Sequence, residues 1–439
     1  MTGTRIPRRP HVLVLSADTP ADLDRVTADL AGKLTEGTDL GTVAAQLHAL
    51  PALPYRRAIV AADPVRAAQH LTLGDPRAVI TGQAAPGRTV VFLCAGVGDQ
   101  YVGLGAGLAR ALPVYRRELT RCLRAMEAEA GTELMAVLYP EQPPDRRERS
   151  LAELLQQQDQ PVADIHRTTA AQPLLFATQY AMAVTLRAFG VEPSVLAGYS
   201  IGEYVAACLA GVLPLDGALR LVARRSRLVA DLPPGGMLAV AAGVEALGDL
   251  SPGVSVAAVN SPDLTVLSGP VDALTRLAGR LADRGIAGQR LTTSHAFHSP
   301  MMEPVVEPLR ELAKALTLRE PAIPLVSNGT GGWMGAEATD PGYWAGHLRN
   351  TVRFADNVAA LWTLPDPVIV ELGPGPTLGR LAAQSPARPA GAGLIVATAP
   401  GPHERRPDMV ALLTALATLW TAGCPVRLDG LADPLRAAG

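Results

Sequence analysis

Two apolar runs that each end in a glycine-rich turn constrain the fold of this chain more than any other feature. The run "TVVFLCAG", starting at Thr89, leads into "VGDQYVGLGAGLAR", and "EPSVLAGYS", starting at Glu192, leads into "IGEYVAACLAGVL". Each combination predicts a buried strand, a tight turn and then a helix. Repetition of this unit is typical of an α/β domain built on a parallel sheet.

Smaller units flank and interrupt this domain. Residues 10–80 begin with a predicted strand, "HVLVLSA", and a helix for which Thr19 is the expected cap and Pro20 the first residue. The glycine- and proline-rich stretch "TGQAAPGR", 81–88, is predicted to be a linker. Residues 236–293 alternate short strand and helix patterns in the order β-α-β-β-α-β, which is that of a ferredoxin-like unit.

The end of the chain returns to the large sheet. The run "VIVELGPGPTLG", 368–379, predicts another of its strands, and a proline-, alanine- and glycine-rich stretch then precedes a last strand and an amphipathic helix. We therefore expect a large α/β-hydrolase-like domain with an inserted ferredoxin-like subdomain, preceded by a small α/β domain. The predicted boundaries are 1–88 for the first domain, 89–384 for the large one (subdomains 89–232 with 294–384, and 233–293), and 385–439 for the segment that follows.

Composition excludes several classes of function. The 439 residues are 48% hydrophobic and 18% charged, as in globular proteins, and the net charge is −2 with scattered arginines. No basic stripe indicates nucleic-acid or membrane binding, and no apolar run has the length of a spanning helix. The four cysteines lie far apart in sequence, so we expect neither disulfides nor a metal site, and a cytoplasmic location.

Ser200 is the first candidate for chemistry. It lies between Gly198 and Gly202 in the pattern G-x-S-x-G, where a strand is predicted to turn into a helix. Such a turn exposes a serine hydroxyl and places the next backbone N–H, that of Ile201, at a helix N-terminus. The alternative is an ordinary small residue in a glycine-rich bend, since the chain has 42 glycines. Glu203, in the first turn of that helix, can simply favour the helix N-terminus.

A serine nucleophile needs a base, and histidine is the usual one. "SHAFHSPMMEP" holds two candidates, His295 and His298, in a loop-like setting, whereas His347 and His403 are weaker candidates. Surface or half-buried histidines are the alternative interpretation. No Asp or Glu stands out as a third member, but a backbone carbonyl can orient an imidazole instead.

Arg225, in "LVARRSRLVADL", is the third candidate. Its guanidinium could bind a substrate carboxylate through two hydrogen bonds. The alternative is a solvated helix face, because three arginines fall within four positions.

Five motifs in order carry a resemblance that covers nearly the whole chain: "GYSIGEYVAACLAGVL", "AAVNSPDLTVLSGP", "HAFHSPMMEP", "LRNTVRFADNV" and "ELGPGPTL". With them the chain resembles the acyltransferase domain of modular polyketide synthases, which is related to malonyl-CoA:acyl carrier protein transacylase. In this comparison residues 10–85 are similar to the linker from a ketosynthase, and 385–439 to the linker after the acyltransferase.

The resemblance implies a ping-pong transfer. Ser200 would attack an acyl-CoA thioester with His298 as general base, and a backbone carbonyl of "NTVRF", near Arg353, would orient the imidazole. The N–H groups of Val97 and Ile201 would bind the oxyanion. The resemblance assigns the remaining substrate-binding roles to Arg225, which would hold a malonyl-type carboxylate, and to Gln172, Tyr199, His295 and Phe297.

The implied partners are a phosphopantetheinylated acyl carrier protein as acceptor and neighbouring synthase domains, such as a ketosynthase, through the linkers. Acyl-CoA, malonyl-CoA in the first place, is the implied donor, and no bound cofactor or metal is implied. The motifs around Gln172 and Phe297 look like the malonyl-selective versions, with Phe297 narrowing the pocket against a C2-methyl branch.

Two departures from the family pattern leave the acyl group open. "AGVG", Ala95–Gly98, stands where the family has "PGQG", and "GYS" stands where it has "GHS". An unusual extender or an acyl-carrier-bound donor is therefore an alternative. Two other classes remain as rivals, a serine thioesterase or other hydrolase with the same turn, and a non-catalytic docking module.

Overall fold

The computed structural model describes residues 9–141 and 163–428. The sequence predicts helices from the first glycine-rich turn to about residue 187, and the part of that prediction in 142–162 lies outside the described residues. In chain order the described strands are β1 His11–Ala17, β2 Tyr55–Ala61, β3 Val79–Gln83, β4 Val90–Cys94, β5 Val195–Gly198, β6 Gly236–Val240, β7 Ser255–Ser261, β8 Leu264–Gly269, β9 Gly288–Arg290, β10 Leu325–Val326, β11 Val368–Pro374 and β12 Leu394–Ala399.

Helices fill most of the connections between these strands. The α-helices of the described residues are α1 Pro20–Lys33, α2 Leu40–His48, α3 Pro64–Leu73, α4 Ala106–Ala111, α5 Pro113–Ala130, α6 Leu134–Leu138, α7 Thr168–Ala188, α8 Ile201–Leu209, α9 Leu215–Ala230, α10 Val244–Leu247, α11 Val271–Asp283, α12 Glu303–Lys314, α13 Pro341–Gly346, α14 Phe354–Trp362, α15 Thr377–Gln384 and α16 Asp408–Ala422.

The N-terminal unit is an antiparallel sheet in the order β1-β2-β3 with three helices. The side chain of Thr19 accepts a hydrogen bond from the Asp22 N–H at the start of α1, and Pro20 is the first helical residue, as predicted. The predicted linker 81–88 is wrong in its first part, because residues 81–83 belong to β3 and pair with β2. Gly82 lies within this strand and permits close packing rather than a turn. A Cβ at this position would lie 3.2 Å from the methyl group of Thr421.

The central sheet is parallel, in the order β10-β5-β4-β11-β12, which establishes the predicted α/β class. Both faces are buried, as parallel sheets require. Phe92 and Cys94 of β4 pack into one apolar cluster, whereas Val91 and Leu93 pack into another on the opposite face. Ser200 follows β5, so it lies at the carboxyl edge of this sheet, where ligands of open α/β sheets bind.

A second sheet lies between α9 and His295 in the chain. Its four strands are antiparallel in the order β7-β8-β6-β9, with α10 and α11 as connections, so the connectivity is β-α-β-β-α-β. The chain enters and leaves this subdomain side by side, because the Gly235 N–H donates to the Ser294 carbonyl at 3.0 Å. Residue 352 extends the sheet as an isolated parallel bridge from Val352 to Ala258.

The C-terminal segment joins two of these units. Strand β12 is the edge strand of the central sheet, paired in parallel with β11. Helix α16 covers the N-terminal sheet, where the Arg56 guanidinium lies 4.8 Å from the Trp420 ring and donates to the Trp420 carbonyl at 2.6 Å. The predicted domain boundaries stay predictions. Residues of the predicted C-terminal segment 385–439 nevertheless add a strand to the central sheet and a covering helix to the N-terminal sheet.

Candidate active site

The turn that carries Ser200 joins β5 to α8 at the edge of the central sheet. Ser200 has φ 52° and ψ −119°, a conformation that side chains rarely adopt. The glycines on either side are required by close contact, since a Cβ on Gly198 would collide with the Glu203 backbone and one on Gly202 with the Cys94 carbonyl. The G-x-S-x-G spacing is therefore the spacing of a strained strand-to-helix turn.

His298 faces Ser200. Its Nε2 lies 2.7 Å from the Ser200 Oγ, and its Nδ1 lies 2.8 Å from the carbonyl oxygen of Asn350. Because a carbonyl can only accept, Nδ1 carries the proton and Nε2 presents its lone pair to the serine hydroxyl. Asn350 is the first residue of "NTVRF", the segment in which the orienting carbonyl was expected.

Burial keeps His298 neutral. Both Ser200 and His298 are buried, and desolvation lowers the pKa of His298 to about 3, with nearby His347 and Arg225 adding to the shift. A neutral imidazole that is hydrogen-bonded to a serine hydroxyl can take up its proton, which is the arrangement of a nucleophile and its general base.

Two backbone N–H groups beside the serine are free to bind an anion. Among the described residues, neither the N–H of Ile201, at the start of α8, nor that of Val97 has a hydrogen-bond acceptor. The loop that carries Val97 is fixed on both sides. Gln179 pairs with the N–H and carbonyl of Ala95, and Gln100 accepts from the Gly98 N–H at 2.7 Å.

Tyr199 supports this loop from behind. A Cβ on Gly96 would lie 2.7 Å from the Tyr199 ring, which also meets Phe354 edge-on with centroids 5.3 Å apart. The ring packs with the apolar cluster on the Val91 side of the sheet, and burial raises the pKa of its hydroxyl. The structure thus places Tyr199 against the Val97 loop and the second sheet, and its role in binding substrate stays a prediction.

Arg225 is buried in α9 rather than on a solvated face. It is 1% exposed, one of its terminal nitrogens donates to the Gln172 Oε1, and its guanidinium lies 5.4 Å from the Tyr204 ring. No carboxylate within the described ranges forms an ion pair with it, and burial lowers its pKa. The Arg225 Nε and the Gln172 Nε2 are buried with no partner there.

His295 and Phe297 line the loop that leads to His298. His295 Nδ1 lies 2.8 Å from the Ser294 Oγ and 3.1 Å from the Thr168 Oγ1, so the ring is fixed against the start of α7. Phe297 is 6% exposed and meets the His295 ring at a centroid distance of 6.4 Å. These contacts place the rings of His295 and Phe297 together in the loop just before His298.

Sequence reasoning missed Asn328. Its side-chain Oδ1 accepts from the Ser200 N–H at 2.8 Å, and its Nδ2 donates to the Gly198 carbonyl, so one amide clamps the serine turn. Asn328 comes directly after Val326 and Ser327 at the end of β10, the strand beside β5. A polar residue at the carboxyl end of a strand is a signal for a functional site. Here the sequence does not reveal it, because β10 has only two residues and cannot be predicted from its pattern.

The weaker histidines have different surroundings. His347 is buried and its Nε2 lies 3.2 Å from a carboxylate oxygen of Glu203, whereas His403 is exposed in the loop before α16. In the described part of the chain, no group of three or more His, Cys, Asp or Glu side chains could hold a metal ion. None of the helices in residues 9–141 and 163–428 is long and apolar enough to cross a membrane.

Both the sequence and the fold are similar to those of known proteins. Residues 91–425 match the family model described as acyl transferase domain. A component of the phenolphthiocerol/phthiocerol polyketide synthase of Mycobacterium tuberculosis is 33% identical over 437 residues, covering 96% of this chain and 28% of that protein. Phenolphthiocerol synthesis polyketide synthase type I Pks15/1 of Mycobacterium marinum is 39% identical over 384 residues, covering 85% of this chain and 17% of that protein. The chain thus spans less than a third of either relative's length.

Solved structures match over nearly the full length. The acyl transferase domain of SpnD, in complex with 2-(pent-4-yn-1-yl)malonyl, is 38% identical, with a TM-score of 0.83 and coverage of 95% of this chain and 97% of that one. The acyl transferase domain of ZmaA is 30% identical, with a TM-score of 0.84 and coverage of 98% and 97%.

Proposed function

Because the chain belongs to the acyl transferase domain family and its curated relatives are polyketide synthases, we propose that it loads an extender acyl group from coenzyme A onto an acyl carrier protein. Malonyl is the acyl group proposed first, and the phosphopantetheine thiol of the carrier is the acceptor. The observation that carries the proposal is the 2.7 Å contact between the Ser200 hydroxyl and the neutral, carbonyl-oriented His298.

The first half-reaction forms an ester. As the Ser200 Oγ attacks the thioester carbonyl, His298 Nε2 takes the hydroxyl proton, and the oxygen that becomes negative is bound by the N–H groups of Ile201 and Val97. Collapse of the tetrahedral intermediate breaks the carbon–sulfur bond. The imidazolium returns its proton to the departing coenzyme A sulfur, leaving acyl-Ser200 and a neutral His298.

The second half-reaction runs the same steps in reverse order. His298 accepts the proton of the carrier thiol, the thiolate attacks the ester carbonyl, and the proton goes to the Ser200 oxygen as the ester bond breaks. One base serves both halves because it is neutral at the start of each, which the lowered pKa of His298 supports.

Arg225 supports a dicarboxylic substrate. A buried cation without a carboxylate partner among the described residues is costly unless an anion binds it. The free carboxylate of a malonyl-type group would pair with the guanidinium, and the unpartnered Gln172 Nε2 offers a further donor. This arrangement favours malonyl-type groups over acetyl.

An extender with a larger C2 substituent is the second candidate. The solved domain of SpnD, 38% identical, holds a pentynyl-substituted malonyl group. Tyr199, one departure from the family pattern, packs against Gly96, and Val97, the other, is the next residue of the same loop. Against this candidate stands Phe297, whose buried ring beside His295 leaves less room for a branch.

Competition between acyl-CoAs tests the proposal. The chain is mixed with equal amounts of malonyl-, methylmalonyl-, pentynylmalonyl- and acetyl-CoA, and the mass of the acylated protein is measured before and after a phosphopantetheinylated carrier protein is added. We expect malonyl on Ser200 first and on the carrier afterwards. Preferential loading of a branched group would select the second candidate.

Two further results would reject acyl transfer altogether. Release of free malonate at the same rate with and without carrier protein would identify a thioesterase, the rival with the same turn. Absence of any acylated Ser200 would leave a docking module. A cytoplasmic location and contacts with a ketosynthase through the flanking segments are part of the same proposal, as expected for a domain of a larger synthase.

A further inference from the structure

Glu203 is a buried carboxylate for which the transfer mechanism has no use. It is fully buried in the first turn of α8, three residues after Ser200. A preference of helix N-termini for acidic residues explains an exposed glutamate there, but not a buried one. A buried carboxylate must be held by hydrogen-bond donors, so the donors indicate what it connects.

Three donors from two other segments surround it. The Asn328 N–H donates to Oε2 at 2.7 Å, the Tyr343 hydroxyl donates to Oε1, and His347 Nε2 lies 3.2 Å from Oε2. No Lys or Arg of the described residues forms an ion pair with Glu203, and His347 is the one basic side chain among them within ion-pair distance of its carboxylate. Because a carboxylate only accepts, His347 carries its proton on Nε2.

The first donor leads to the nucleophile. Asn328, fixed through its backbone N–H by Glu203, is the residue whose side chain clamps the serine turn at the Ser200 N–H and the Gly198 carbonyl. Glu203 is therefore connected to Ser200 in two ways: both residues lie at the start of α8, and Asn328 is hydrogen-bonded to both of them.

The third donor, His347, leads to the base. The residue after His347 is Leu348, whose carbonyl accepts the His298 N–H at 2.8 Å, and Asn350 accepts from the His298 Nδ1 at 2.8 Å. The His347 and His298 rings are 6.3 Å apart between centroids. The short segment 347–350 thus holds His298 at its backbone and at its ring, and Glu203 holds the start of that segment.

Both catalytic groups need such support. Ser200 at φ 52° and His298 at φ 58° are two of the three non-glycine residues with positive φ within the described ranges. Strained residues keep their conformation only where surrounding contacts fix them more than once. We infer that Glu203 is a positioning residue that connects the Ser200 turn and the His298 loop and so sets the distance between nucleophile and base. The inference rests on the proposed roles of Ser200 and His298.

The test measures the reactivity of Ser200 without any acyl-CoA. A fluorophosphonate, which phosphonylates a serine activated by a base, gives both the number of reactive sites and the rate constant per site. For Glu203→Gln we expect the rate per site to fall about 10- to 100-fold, because a displacement near 1 Å costs that much. With malonyl-CoA, kcat should fall equally while KM changes less than about threefold, since Arg225 is untouched.

Glu371→Gln is the matched control. Glu371 is also fully buried at the central sheet, but its carboxylate accepts from the Leu378 and Gly379 N–H groups at the start of α15 and from neither catalytic segment. We expect this variant to keep the wild-type rate per site. A Glu203→Gln protein with fewer reactive sites but an unchanged rate per site would overturn the inference, because that is the result of a merely structural role.

A second pair of variants keeps the test valid if Glu203→Gln does not fold. In His347→Gln the amide nitrogen can replace Nε2 as donor to Glu203, whereas His347→Leu removes the donor. We expect a near wild-type rate per site for the first variant and about a tenfold loss for the second. Equal rates for the two variants would contradict the inference. A wild-type protein that is phosphonylated but transfers no acyl group would reject the proposed function alone.

Discussion

The serine turn and the proposed acyl pocket, formed by Arg225, Gln172 and Phe297, are both buried, but they differ in how their polar side chains are satisfied. At the turn, Ser200, His298 and Asn328 have their hydrogen bonds within the protein. In the proposed pocket, Arg225 and Gln172 each leave a buried nitrogen without a partner in the described residues. Unsatisfied buried donors are costly, and under the proposed function the bound acyl group supplies their acceptors. On that proposal the turn determines the type of reaction, and the pocket determines the choice of substrate.

The largest effect should come from the turn. Ser200→Ala removes the nucleophile and leaves the pocket intact, so no acylated protein should form with any acyl-CoA, and transfer should fall at least about 10⁴-fold. Mass spectrometry and single-turnover transfer measure both. Malonyl-CoA should still bind with wild-type affinity. An acyl ester in this variant would show that another residue is the nucleophile.

The next largest effect should come from the pocket. Arg225→Ala removes the proposed partner of the substrate carboxylate, and the loss of such a buried charge-assisted pair predicts about a 10²- to 10³-fold fall in kcat/KM for malonyl-CoA. Acetyl-CoA has no free carboxylate and should be used as well as before or better. Arg224→Ala, at the exposed neighbouring position, is the control. An equal loss with both substrates would make Arg225 a structural residue.

A smaller effect should follow from widening the pocket. Phe297→Leu removes the ring beside His295, and one methyl group of a substrate is worth about a tenfold change in preference. We expect the ratio of methylmalonyl to malonyl loading to rise by that factor in a competition experiment. Phe189→Leu is the control, because Phe189 is as buried but lies at the opposite end of α7 from Thr168, which contacts His295.

The smallest effect should be that of pH on the rate at which Ser200 is acylated. With the pKa of His298 lowered to about 3, the base stays neutral down to pH 5, so the rate of acylation should change less than about twofold between pH 8 and pH 5.5. A base with an ordinary pKa near 6.5 would lose about tenfold over that range.

The stability of the fold, unlike the rate of acylation, should depend on pH in this range. The unfolded chain binds a proton at this histidine below about pH 6.5, whereas the folded chain does not, so the free energy of unfolding should decline as the pH falls below 6.5. Circular dichroism measures the folded fraction at each pH. Single-turnover rates corrected for that fraction separate the effect of pH on acylation from its effect on stability. A tenfold loss of rate in the folded protein at pH 5.5 would contradict the neutral base.

The sequence predicts the turn better than it predicts the support around it. Gly198, Ser200 and Gly202 are close in sequence, and the need for glycine at close backbone contacts makes their spacing informative. Asn328 and His347 reach the same place from more than a hundred residues away, and no local pattern predicts that the short strand β10 lies beside β5.

Tyr199 and Gly82 show two other limits of sequence reasoning. The ring of Tyr199 packs against Gly96 and Phe354, contacts that no local pattern predicts, and its role in binding substrate stays a prediction. Gly82 suggested a linker, but it is a contact point for Thr421 within β3. Such differences depend on what packs against a residue, and the packing partner is distant in sequence.

The path of the C-terminal segment has a consequence for building hybrid enzymes. Strand β12 completes the central sheet, and α16 covers the N-terminal sheet through Trp420 and Thr421. A graft cut at residue 384 would leave β11 as an open edge and the sheet of β1–β3 without its cover, two surfaces prone to aggregation. A transferable unit must therefore include β12 and α16, and an exchange of specificity is better attempted by replacing single residues than by cutting between these elements.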